Sequence, residues 1–130
     1  MAIFKEEDLL MKIIDKGHIY ELTSLDGEQS NRLVFVKRND PPEKFPGNEN
    51  AYPGTLMQEV IRALVDRSEY LNNQIPHEET QAVIVDLKLV FYRLEKRAAE
   101  RHNRVLKGTV DEVFNDNPCL KCGHVQCEDH

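Results

Sequence analysis

Downstream of Pro76 the chain runs without a proline or a glycine until Gly108. Within that run Val83, Leu87, Val90, Phe91, Leu94 and Ala98 recur at helical spacing, which predicts one helix from His77 to roughly Leu106. Glu78 and Glu79 suit the positive end of its dipole, and Gly108 is placed as a stop. About 30 residues at 1.5 Å each give some 45 Å. A preceding helix is predicted from Thr55, which forms a capping-box signature with Gln58, to about Asn72. Leu56, Met57, Val60, Ile61, Leu64, Val65 and Leu71 line one of its faces, and Asn72-Asn73-Gln74-Ile75-Pro76 breaks it. The central expectation is therefore an antiparallel helical hairpin. Its second arm is too long for the first to cover, which favours an assembly of several chains.

Upstream, residues 39–54 carry four of the six prolines and two glycines, so a long loop is expected there. Two β-prone runs precede it, residues 18–24 (HIYELTS) and 31–38 (NRLVFVKR), with Asp26-Gly27 between them as a hairpin signal. Such a two-stranded ribbon is marginal alone and needs something to pack on. Residues 4–16 read as a short helix, because Leu9, Leu10, Ile13 and Ile14 follow a 3.6 period and Gly17 can end it. The expected fold class is α+β, mainly α, and oligomeric. Its parts are 1–53 (acidic leader, β-ribbon and Pro/Gly-rich loop), 54–107 (helical hairpin) and 108–130 (a Cys/His-rich tail).

At 130 residues and 40% hydrophobic content the chain supports one domain, or a small domain with an appendage. A net charge of −6 argues against general DNA binding, which wants a basic footprint. No apolar run approaches a membrane span, and the acidic N-terminus is unlike a signal peptide. The charge is unevenly spread. Residues 1–30 and 109–130 each carry a net −4, whereas residues 93–107 carry +4. A local basic segment in an acidic protein fits a small anion or an acidic partner.

Within that segment Arg93, Arg97, Arg101 and Arg104 are spaced four, four and three, which sets four guanidinium groups on one helical face. Arginine binds phosphate bidentately and stacks on bases, although such a row also serves simply as a solvated face or docks acidic side chains. Arg62, Asp66, Tyr70 and Asn73 share a polar face of the first helix, followed by Gln74. An aromatic beside amides matches the devices that read nucleobases, while the same residues also serve to pack and end a helix. No P-loop, Gly-rich dinucleotide fingerprint or acid/base pair is present. His77 and His102 read as a helix-start and a surface residue.

All three cysteines fall in the last twelve residues, too few for a disulfide framework. Cys119 and Cys122 form C-x2-C, followed by His124, Cys127 and His130, with Gly123 supplying a tight turn. Thiolates and imidazoles at this spacing suit tetrahedral zinc; the best set is Cys119, Cys122, Cys127 and His130, with His124 as substitute. The plain alternative is a reduced tail without metal.

Several of these residues together resemble a known family. Gly54-Thr55, Gln58-Glu59-Val60, Leu64-Val65-Asp66-Arg67, Tyr70-Leu71-Asn72-Asn73-Gln74, Pro76, Glu79, Leu94-Glu95, Arg97 and Arg101 are similar to a phage counter-defence helical hairpin. That domain is shared by the Thoeris anti-defence sponge and the anti-CBASS sponge, and the preceding IYELTS run favours the Thoeris type. The likeness spans about residues 18–105 and excludes the leader and the cysteine tail. It implies a non-enzymatic protein of the host bacterial cytoplasm that sequesters a small anionic cyclic nucleotide. Glyco-cyclic ADP-ribose would be the principal ligand, with cyclic di- or trinucleotides in separate pockets and assembly as a homo-oligomer, dimer or hexamer. By position Tyr70 would stack on the base, and Arg97 and Arg101 would bind the pyrophosphate. Asn73, Thr80, Arg104 and Arg67 complete the candidate ligand-binding set; Thr80 stands where family members often carry Asn. No cofactor is required, and zinc in the tail is the one candidate. The competing reading is a zinc-binding structural or regulatory module that docks an acidic partner through the arginine row.

Overall fold

The computed structural model describes residues 10–25, 30–38 and 52–127. The fold is α+β, with three strands and three helices, and divides into two compact units, residues 1–56 and 57–130.

The first unit holds a three-stranded antiparallel sheet ordered β1 (Lys12–Asp15), β2 (Ile19–Thr23), β3 (Ser30–Val34). The expected ribbon is thus one strand short, and the third strand comes from the stretch expected to be helical. Residues 12–15 pair with β2, Lys12 opposite Glu21 and Ile13 opposite Tyr20. Two adjacent β-branched isoleucines favour this extended form, and a helix would gain nothing here, since Leu10, Ile13 and Ile14 all stay more than half exposed. Gly17 does end an element, but as the tip of a β-turn at φ +86°. Its N–H donates to the Tyr20 hydroxyl at 3.0 Å, and His18 N–H donates to the Asp15 carbonyl at 2.9 Å. Residues 4–9, the start of that expected helix, lie outside the described residues, as does the Asp26-Gly27 turn.

Beyond β3 the chain continues in extended form. Phe35 bridges Thr55 in parallel and Lys37 bridges Tyr52 in antiparallel fashion. The downstream end of the expected loop therefore holds one strand-like contact, at Tyr52, and the other falls just beyond it at Thr55; residues 39–51 lie outside the described residues. Thr55 serves this bridge rather than a helix cap, and the first helix starts two residues later. Gly54 passes so close to the backbone of Phe35 and Val36 that a Cβ would sit 2.5 Å from Val36 N and 2.6 Å from Phe35 O.

The second unit is built on α1 (Met57–Gln74) and α2 (Glu78–Arg101), the expected hairpin. Its tip is tied by side chains: Asn72 Oδ1 accepts from His77 N–H, and His77 Nδ1 caps α2 by accepting from Glu79 N–H, both at 3.0 Å. The second arm is shorter than expected and stops at Arg101. Arg104 N–H donates back to the Ala99 carbonyl at 2.8 Å, and Asn103 turns left-handed at φ +56°. A third helix, α3 (Val110–Asn115), lies where only a tail was expected. Thr109 and Glu112 form its capping box, with Thr109 Oγ1 accepting from Glu112 N–H and Glu112 Oε1 from Thr109 N–H.

The core joins Ile61 and Val65 of α1, Phe91 of α2, Val113 of α3 and Val125. Phe114 meets Phe91 edge-on at 5.1 Å between centroids, and the Arg62 guanidinium covers the Phe91 ring at 4.8 Å. The expected apolar faces supply this core in part: Ile61, Val65, Phe91 and Ala98 are buried, and Leu87 and Leu94 pack against the cluster. Met57, Leu64, Leu71, Val83 and Val90 are 42–52% exposed, whereas Phe91, Glu95, Ala98 and Ala99 are buried. Two helices offer a single seam, so an apolar stripe wider than the seam remains partly in water.

A Gly54→Ala substitution should cost about 1–3 kcal/mol by forcing the 35–37 and 52–55 segments apart. Hydrogen exchange should report it as lost protection at Val36 and Thr55, with α1 and α2 unchanged.

Candidate metal centre and arginine face

After Pro118 the chain folds back on itself. Cys119 N–H donates to the His124 carbonyl at 2.8 Å, and Gly123, at φ +78°, donates its N–H to the Cys119 carbonyl at 2.7 Å. This closed turn brings the sulfurs of Cys119, Cys122 and Cys127 within 4.8 Å of one another. Tetrahedral zinc with bonds of about 2.3 Å would hold its sulfurs roughly 3.8 Å apart, so a small contraction suffices. The three sulfurs complete the cluster among the described residues. His130, the fourth ligand expected, lies outside them.

The thiols differ in environment. Lys121 N–H points at Cys119 Sγ from 3.4 Å, and this bond, with another from the Cys122 backbone, lowers the Cys119 pKa by favouring thiolate. Burial pushes the Cys122 thiol up to about 12. A bound cation would reverse that penalty, because it favours the deprotonated ligand.

His124, the expected substitute ligand, belongs to a different set of contacts. Its Nδ1 lies 3.2 Å from Glu95 Oε2 and 3.3 Å from Gln58 Nε2. Val125 N–H donates to the same Glu95 oxygen at 3.3 Å, and Gln58 Nε2 donates to Glu95 Oε1 at 3.4 Å. Glu95, which lies between Arg93 and Arg97 in the sequence, is 1% exposed and faces inward. Its helical spacing from Phe91 and Ala98 was the available signal. Its charge argued against burial, and its partners 29 to 37 residues away in sequence left no local mark.

The candidate nucleotide residues are not gathered in one place. Tyr70 is 53% exposed near the hairpin tip, where Arg67 lies 5.6 Å from its ring and Gln74 Nε2 donates to its hydroxyl at 3.0 Å. Asn73 is exposed and Thr80 half-buried in the same region. Arg93, Arg97 and Arg101 are exposed toward the far end of α2. Since Gln58 meets Glu95 and Arg62 covers Phe91, Tyr70 stands level with about residue 83, which leaves Arg97 some 20 Å along the axis. Arg104 departs from the row. It lies past the helix, is half-buried, and donates from Nη1 to the Gln126 carbonyl at 2.6 Å. Gln126 in turn exchanges hydrogen bonds with the Lys107 backbone, its amide donating to the carbonyl at 2.7 Å and its oxygen accepting from N–H at 2.9 Å. The arginine thereby ties the end of α2 to the cysteine turn.

Among the described residues no helix is long and apolar enough to cross a membrane. Comparison with family models, curated proteins and solved structures finds no match for the chain.

In reduced, metal-free protein near neutral pH, iodoacetamide should modify Cys119 well before Cys122. Peptide mapping by mass spectrometry reads the order, and equal rates would contradict the buried position of Cys122.

Proposed function

We propose that this chain is a phage counter-defence protein of the host bacterial cytoplasm that sequesters a cyclic nucleotide immune signal without cleaving it. Glyco-cyclic ADP-ribose of Thoeris is its principal ligand, and cyclic di- or trinucleotides of CBASS are further ones. The observation that supports this reading is that the candidate ligand groups lie at two places on one hairpin. A partly exposed aromatic with nearby amides stands at the tip, and exposed arginines stand some 20 Å away at the other end.

One chain cannot close these two places on a small ligand, but two antiparallel copies can. Met57, Leu64 and Leu71 recur every seven residues on α1, as do Val83 and Val90 on α2, in the manner of a coiled-coil seam. Arg97 falls seven residues beyond Val90, so the arginines extend the apolar stripe. In antiparallel helices, stripes displaced in the same rotational sense from their buried lines flank the seam on one side. Packing this side against a second copy would bring Arg97 and Arg101 of that copy toward Tyr70, Asn73, Thr80 and Arg67. Homo-oligomer formation, as a dimer or hexamer built on that pair, is part of the proposal; DNA and membrane are not partners.

The energetics suit sequestration. A nanomolar complex requires about 12 kcal/mol. Bidentate arginine–phosphate bonds and a stacked base, worth roughly 1–3 kcal/mol for the stack alone, are suitable contributors. Retention needs neither nucleophile nor general base.

Arg97→Ala and Arg101→Ala should each weaken glyco-cyclic ADP-ribose binding at least 100-fold by calorimetry while leaving the circular dichroism spectrum unchanged. Tyr70→Ala should weaken it by about 5- to 150-fold. Ligand held by wild-type protein should return intact on heating. Unchanged affinity in both arginine variants refutes the site, and a linear product would reveal an enzyme.

The sulfur cluster favours a second reading, compatible with the first: a structural zinc held by Cys119, Cys122 and Cys127, with His130 as fourth ligand. In its stronger form the chain is a zinc-stabilised interaction module whose arginine row docks an acidic protein. That form predicts one zinc per chain by elemental analysis, no nucleotide-induced rise in melting temperature, and a partner lost at moderate salt.

A further inference from the structure

We propose that Glu95 is a positioning residue for the cysteine centre, so that metal binding at Cys119, Cys122 and Cys127 and closure of the α1/α2 pair are thermodynamically coupled. The proposal rests on the zinc reading just given.

The argument starts from chain continuity. His124, Val125 and Gln126 belong to the short segment that joins Cys122 to Cys127, two of the three sulfur donors. Two of the three groups that meet the Glu95 carboxylate, the His124 ring and the Val125 N–H, come from that same segment. The third is the Gln58 amide of α1. Val125 itself is 1% exposed and sits in the core with Phe91 and Val65. The segment cannot change shape around a metal without moving the groups that face Glu95, nor leave Glu95 without loosening two ligands.

Burial makes the coupling costly to break. A carboxylate in an apolar seam is tolerated only while its oxygens are met by donors. If the segment detaches when metal is lost, Glu95 retains the Gln58 amide alone, and the helix pair must open or admit water. Linkage then works equally in reverse: a carboxylate that holds the segment in its closed form raises metal affinity, as groups behind the ligands do in other metal sites. Glu95 touches none of the sulfurs, so its effect passes through the segment.

The test is a Co2+ titration of the reduced, full-length protein, read by the thiolate-to-cobalt charge-transfer band and the visible bands of tetrahedral Co2+, with Zn2+ competition. Wild type, Glu95→Gln and His124→Gln are compared. Glu95→Gln keeps the volume but replaces one acceptor oxygen by a donor group; His124→Gln alters the same contact from the partly exposed side and keeps a folded variant in hand. One equivalent of Co2+ is expected to bind wild type, and both variants should bind it about 10- to 100-fold more weakly. Zn2+ should raise the melting temperature of wild type by more than that of either variant. A purely structural role for Glu95 would lower the metal-free melting temperature and leave Co2+ affinity untouched. Wild-type affinity in a folded Glu95→Gln or His124→Gln protein therefore overturns the coupling and spares the metal reading. Failure of wild type to bind Co2+ or Zn2+ overturns both, and that result is read from wild type alone.

Discussion

A carboxylate set into an apolar seam must collect donors from several directions, and Glu95 collects them from distant parts of the chain. Gln58 approaches from α1, and His124 and Val125 approach from the cysteine turn. Much of the second unit follows from satisfying this one group. The amide of Gln58 turns inward beside Ile61 and Val65, Val125 is drawn into the core, and the loop after α2 has to return across the hairpin. Replacing Glu95 by a leucine would relieve the helix pair of a charge but leave the His124 ring and the Val125 N–H without this partner. The arrangement therefore exchanges some stability of the hairpin for a defined position of the turn.

The arginine row shows how a single spacing divides into two roles. Arg93, Arg97 and Arg101 continue along α2 and remain exposed, whereas Arg104 falls after the helix has ended and is used to hold Gln126. The row expected on one helical face is therefore three residues long. The fourth guanidinium fastens the cysteine turn to the end of the helix that carries the other three.

What could be read from the sequence was what short spacing encodes. The helical hairpin, its break around Pro76, the β-prone runs and the gathering of three cysteines all follow from neighbours within a few residues. Ile13 and Ile14 misled because they complete a 3.6 period with Leu9 and Leu10, while the partner that decides their conformation, β2, follows the Gly17 turn. The four-residue capping signature appears twice, and only at Thr109–Glu112 does it cap a helix. At Thr55–Gln58 the threonine is taken by a bridge to Phe35 and the glutamine by Glu95. The inward aim of Glu95 had its helical spacing from Phe91 and Ala98 as a local sign, but the partners that satisfy it lie 29 to 37 residues away. The sulfur positions support a metal centre, while the candidate ligand-binding residues are divided, Arg67, Tyr70 and Asn73 near the hairpin tip and Arg97 and Arg101 toward the far end of α2.

The return of the cysteine turn onto Glu95 also orders events in time. A chain made from its N-terminus can pair α1 with α2 through local contacts, but the segment that meets Glu95 is synthesised about thirty residues later. Until it arrives Glu95 lacks two of its partners, so a helix pair closed early would leave the buried carboxylate with the Gln58 amide alone. The complete set of contacts around Glu95 thus forms only once residues 124 and 125 are present.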